Sequence, residues 1–100
     1  MRAPIMFVIS LKFAANKGDA PAHMDAHNEW IQQGFDDGVF LLVGSLQPGL
    51  GGAILAQHES REAIENRVSA DPFVIAGVVS AEIAEITPAK TDPRLDFLTA

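Results

Sequence analysis

Few side chains in this 100-residue chain can move protons or hold ligands: three histidines, one tryptophan and thirteen carboxylates, with no cysteine. The missing thiols exclude disulfides, thiolate zinc sites and cysteine nucleophiles. His23 and His27 stand at i and i+4, one turn apart on a helical face, a spacing that suits two zinc-bound imidazoles. The metalloprotease pattern places a glutamate directly after the first histidine, and Met24 stands there instead. His58 is spare, but no third ligand lies at a usual spacing, so an exposed helical pair without metal is expected. Gly49-Leu50-Gly51-Gly52 has the glycines of a phosphate loop without its lysine, and reads as a hairpin turn. Ser45 follows Gly44 but lacks the second glycine of a nucleophile elbow. His27 and Asp71 are left. A histidine can switch charge near neutral pH, and a carboxylate can orient it. Taken singly, a histidine on a mixed helical face is more often structural, and an Asp-Pro step is usually a plain helix stop.

Those residues need a scaffold, and the composition supplies one. Apolar residues make up 48% and charged residues 20%, as in a globular domain. A net charge of -6, with seven scattered basic residues, argues against nucleic-acid partners. The segment Met1–Phe7 does not read as a signal peptide, and no apolar run approaches the roughly 20 residues of a membrane span. The cytoplasm is the default expectation.

Phe7, Ile9, Leu11 and Phe13 alternate with Val8, Ser10 and Lys12, predicting a strand from Ile5 to Phe13 with one buried face. Asn16–Asp19 reads as a loop, with Asp19 as an N-cap and Pro21 in a first helical turn. From Ala20 to about Asp37 the period is helical. Met24, Asn28, Ile31 and Phe35 share one stripe, and His23, His27, Trp30 and Gly34 the next. Val39–Val43 is a continuous apolar run, read as a strand buried on both faces. After the Pro48–Gly52 turn, a third strand runs from Ala53 to about Gln57. Ser60 caps a second helix carrying Ala63, Ile64, Arg67 and Val68, which stops near Asp71-Pro72. A last strand spans about Val78–Thr87, and the tail from about residue 89 to 100 is a short helix or a partner-binding arm. The order β-α-β-β-α-β over one domain, residues 1–100, predicts an α+β ferredoxin-like fold: a four-stranded antiparallel sheet with two helices on one face. The other face needs a cover. A second copy of the chain is the simplest, with Val8, Leu42, Ile54 and Ala56 as candidates to meet it.

Over nearly its whole length the chain resembles the YciI-like (YCII-related) domain family. The matching segments are Ala26-His27, Gly38-Val39-Phe40-Leu41 with Gly44, Gly51-Gly52-Ala53-Ile54-Leu55-Ala56, Ser60-Arg61-Glu62, Asp71-Pro72-Phe73 and Glu82 through Pro88. The resemblance implies a homodimer of the dimeric α/β-barrel type and an active site built on a His–Asp dyad. His27, not His23, and Asp71 carry over. Relatives often carry Ser-Gly-Pro where this chain has Val43-Gly44-Ser45, and a basic residue where it has Gly49. Ser45 is the candidate to replace the lost hydroxyl, although its side chain is expected on the other face of the strand. The expected function is a small cofactor-free enzyme with His27 as general base or acid and Asp71 orienting it. Trp30, Phe40 and Phe73 would wall a cleft for a small, aromatic-type substrate, with Gly44 and Ser45 beside it. Association of some relatives with degradation of halogenated aromatics implies elimination or isomerisation, a lyase-like reaction. The alternative is a non-enzymatic dimeric binding or regulatory module whose His–Asp pair is structural. Access to His27 from an open pocket separates the two.

Overall fold

The structure, a computed structural model, describes residues 5–99. Residues 1–4, the start of the segment weighed as a signal peptide, and residue 100 at the end of the tail lie outside it. Its elements follow the chain as β1 (Met6–Phe13), α1 (Ala20–Asp36), β2 (Phe40–Leu46), β3 (Gly51–Gln57), α2 (Arg61–Ser69), α3 (Pro72–Ile75) and β4 (Val79–Ile86). Short 3-10 turns occupy Lys17–Asp19 and Pro93–Leu98. The strands form one antiparallel sheet in the order β2-β3-β1-β4, the ferredoxin-like arrangement.

Register shows which face is buried. Phe7 pairs with Ala56, Ile9 with Ile54 and Leu11 with Gly52, and on the other side Ile9 pairs with Ile83. Paired residues share a face. Phe7, Ile9, Ile54 and Ala56 are completely buried, in one core cluster with Ile64 and Val68 of α2 and Phe73 of α3. This corrects the expectation that Ile54 and Ala56 face away from the helices. The outward row is Leu42, Leu55, Val8 and Ala84, read across all four strands.

Two further expectations fail for physical reasons. Val39–Val43 is not buried on both faces: Val39 and Phe40 are buried, but Leu42 is 51% and Val43 42% exposed. β2 is an edge strand, and a register shift between Phe40 and Leu42 changes which side chains turn inward. Phe13, expected in the core, is 39% exposed at the end of β1. Asp19 stands at the N-cap of α1 but makes no side-chain capping bond, because its backbone is already helical. Ser60 does cap α2, its hydroxyl accepting from the Ala63 amide at 3.1 Å.

α1 presses on the sheet through Gly34, whose missing Cβ leaves room for the Phe40 ring. Gly34→Ala should therefore destabilise the protein. The gain in helix propensity is at most about 1 kcal/mol. Forcing a methyl into the space of the Phe40 ring costs about 1–3 kcal/mol. A lower midpoint in urea unfolding is the expected reading. A raised midpoint would show that the ring moves aside freely.

Arg67 ties α2 to α1 and to the segment that precedes α2. Its guanidinium donates to Glu59 at 3.0 Å and to Asp37, after the end of α1, at 3.1 Å. The hydrogen bond from Arg67 to Glu59, with Asp37 adding to it, raises the Arg67 pKa above the ordinary arginine value against the opposing effect of burial. Its backbone carbonyl accepts the Trp30 indole N–H at 3.0 Å. Among the described residues, no helix is long and apolar enough to cross a membrane.

Candidate active site

Proline fixes the local geometry at Asp71. The residue before a proline is driven out of helical geometry, and Asp71 is extended at φ -60°, ψ 123°. The sequence marks this as a helix stop. In the structure it is a stop and a restart, because Pro72 opens the one-turn helix α3 and Asp71 becomes its N-cap. The Asp71 Oδ1 accepts the Phe73 amide N–H at 3.0 Å. The same oxygen lies 2.7 Å from Nδ1 of His27 on α1, 44 positions away in sequence. Asp71 is fully buried and His27 nearly so.

Three neighbours orient the imidazole. An ionised carboxylate only accepts, so its bond to Nδ1 requires a proton there, and in the neutral ring the lone pair then sits on Nε2. The Phe73 ring stacks on His27 at 3.9 Å between centroids and 4° between planes. Trp30 lies 5.9 Å away at 24°. Phe73 thus holds both members, Asp71 through its backbone and His27 through its ring. The second carboxylate oxygen, Oδ2, is buried without a hydrogen-bond partner among the described residues.

His27 and Phe73 open onto a cleft of about 360 Å³ between α1 and the end of the sheet where β2 and β3 join. Met24, Asn28 and Ile31 of α1 line it with His27. Their spacing is the helical stripe visible in the sequence, although Asn28 was not singled out as a site residue. Gly44 and Ser45 line it from β2, as expected. Ser45 shares a face with Val43, because Val43 pairs with Ile54 and Ser45 with the adjacent inward position Gly52. This corrects the expectation that Ser45 points away: side chains two apart on a strand lie on the same side. Trp30 and Phe40 do not line the cleft. Trp30 is turned away by its bond to the Arg67 carbonyl and packs edge-on against Phe40, which is buried in the core.

His23 does not line the cleft, and His58 follows the far end of β3 from it. Among the described residues, no three His, Cys, Asp or Glu side chains cluster as metal ligands.

A family model for the YCII-related domain matches residues 6–89. The chain belongs to the YCII-related domain family. The YCII-related span runs from the start of β1 to just beyond β4, and so contains both His27 and Asp71. No curated protein matches the chain. Among solved structures, it is similar to 5-chloro-2-hydroxyhydroquinone dehydrochlorinase from Burkholderia phenoliruptrix AC1100, determined with 2,5-dihydroxybenzoquinone, at 15% identity and a TM-score of 0.67 over 89% of this chain and 97% of that one. The protein PA3566 from Pseudomonas aeruginosa is similar at 13% identity and a TM-score of 0.57, over 90% and 98% of the two chains. SnoaB, a cofactor-independent oxygenase from Streptomyces nogalater, aligns at 11% identity and a TM-score of 0.49, over 92% and 99%. At these identities the first two likenesses show a shared fold, a four-stranded antiparallel α+β sheet with its helices, and nothing beyond it.

Proposed function

We propose that this YCII-related domain is a small cofactor-free enzyme that uses His27 and Asp71 for acid–base chemistry on a small ring substrate. The observation that carries the reading is the 2.7 Å contact between His27 Nδ1 and Asp71 Oδ1 at the wall of an open cleft. One nitrogen is tied back, one ring face is covered by Phe73, and the ring lines the cleft, so Nε2 is the nitrogen assigned to the substrate in this proposal. Nε2 takes a proton from a ring hydroxyl or an acidic ring carbon, and Asp71 stabilises the imidazolium that forms. The electron pair released on the substrate then expels a leaving group or shifts a double bond. His27 returns its proton to the departing group or to a neighbouring carbon. The outcome is elimination or isomerisation, with no redox change in the protein. The dehydrochlorinase of the same fold, seen with a dihydroxybenzoquinone, supports chlorinated hydroxybenzenes as the first substrates to try.

The test is turnover of such compounds, followed by halide release and ring absorbance. His27→Asn should lower kcat/KM by about 10²–10⁴, the usual contribution of a positioned acid–base group. Asp71→Asn should lower it comparably, because the amide still accepts the Phe73 N–H but no longer stabilises an imidazolium. Unchanged rates in both variants would favour the binding-module alternative.

The assembly proposed here is a homodimer through the outward sheet face. Leu42, Leu55, Val8 and Ala84 form an apolar row across four strands, on the face away from the helical core. A specific pairing buries more than about 1,000 Å² in total. Sedimentation should give twice the chain mass of 10.7 kDa at micromolar concentration. A monomer at that concentration would refute it, and Leu55→Lys should shift the balance toward monomer.

A further inference from the structure

We infer that the cleft selects uncharged rings, and that Asn28 and Ser45 read their hydroxyl or carbonyl groups. This rests on the cleft being the substrate site and adds the class of substrate it takes. Most of the lining is apolar: Leu11, Phe13, Met24, Ile31, Val43 and Ile54 surround the space beside His27 and Phe73. No lysine, arginine, aspartate or glutamate lines it among the described residues. The Lys17 ammonium rests over the Phe13 ring, 4.6 Å from its centroid, and does not itself line the cleft. A carboxylate or phosphate entering this space loses water and meets no lysine or arginine on the walls, only His27, whose Nδ1 is already held by the Asp71 carboxylate, while the net charge of -6 repels it from a distance.

The polar groups that are present suit a neutral ligand. Neither Asn28 nor Ser45 makes a side-chain hydrogen bond to another described residue, although both line the cleft. Asn28 offers a donor and an acceptor, and Ser45 can do either. Asn28 stands on α1 next to His27, whereas Ser45 stands on β2, so the two approach a bound ring from different walls. Size sets the rest. A cavity of about 150 Å³ accepts benzene, so about 360 Å³ holds a substituted ring or a fused pair. The specificity is thus for a ring with hydroxyl, carbonyl or amide substituents and no formal charge.

The test is direct binding to the full chain at pH 7, by calorimetric or NMR titration, with 4-hydroxybenzamide and 4-hydroxybenzoate. These probes share a ring and size and differ by one charge. The benzamide should bind at least tenfold more tightly. Ser45→Ala and Asn28→Leu should each weaken it severalfold while leaving the thermal midpoint in place, since both side chains are exposed. Equal or tighter binding of the benzoate overturns the inference. So does saturable binding that neither variant weakens, or no binding of the benzamide at millimolar concentration. Because binding needs no turnover, benzamide selectivity in a protein whose kcat/KM is insensitive to His27→Asn would sink the acid–base reading alone. Turnover of anionic rings that depends on His27 would sink this one alone.

Discussion

Replacing His27 by alanine should cost about 3 kcal/mol of stability, far more than a surface histidine would. Removing the partner of a buried charged group typically costs about 3–5 kcal/mol, because the charge that survives is left without compensation. Asp71 is the survivor here, with no exposed surface and one oxygen already without a partner. The low end of the range applies because the vacated space opens onto the cleft, through which water can reach the carboxylate. Asp71→Asn should cost less, about 1 kcal/mol, the difference between charged and neutral hydrogen bonds. It keeps an acceptor for the Phe73 amide, so α3 retains its cap. Urea unfolding with an unchanged slope measures both. Combining His27→Ala with Asp71→Ala should cost less than the two single losses added together, since each removes the same contact. A loss below about 1 kcal/mol for His27→Ala would mean that Asp71 does not depend on its partner.

Gly51→Ala should be at least as severe. Gly51 opens β3 at φ +136°, a backbone conformation that side chains rarely adopt. A Cβ there would collide with the carbonyl oxygen of Leu11 on the neighbouring strand. Backbone strain of this kind costs about 1–3 kcal/mol and overpacking about another 1–3, giving roughly 2–6 in sum. Carbonyl oxygens in a ladder cannot swing aside as a flexible side chain can, which favours the upper part of that range. Gly52→Ala is the control. Its Cβ would meet only the Gly44 carbonyl oxygen, at 3.4 Å, an ordinary contact distance. Thermal unfolding of the two variants should separate them clearly, and equal midpoints would refute the steric argument.

Most of the element order could be read from periodicity, because β1 and α1 bury one face each and therefore alternate at 2.0 and 3.6. β2 could not. An apolar run such as Val39–Val43 looks the same whether a second layer covers it or it runs out along an edge. Strand order decides that, and strand order is a long-range property. The one-turn helix α3 was likewise hidden, since Asp71-Pro72 signals the end of one helix and the start of another with the same residues. For the site, His27 and Asp71 came from family resemblance, and chain topology brings them to 2.7 Å. The aromatic walls were half legible. Phe73 faces the cleft, but Trp30 is taken by the Arg67 carbonyl, a partner 37 residues away that no local pattern announces. Ser45 lies two positions from Val43 and therefore on the same face, as the pleat requires. Asn28 stood on a stripe with Met24 and Ile31, and the stripe itself was the signal.

Under the proposed function, the edge position of β2 separates proton transfer from the choice of what enters the cleft. His27 and Asp71 are buried among core residues, and substitutions around them threaten the fold. Val43 and Ser45 are exposed on a strand with a single sheet neighbour, where a replacement typically shifts stability by no more than about 0.5 kcal/mol. Chemistry and selectivity can therefore diverge at different rates. On the proposed reading, a lineage can retune what enters the cleft by rewriting one hairpin arm, trying many side chains there, while the His27–Asp71 pair stays fixed behind it.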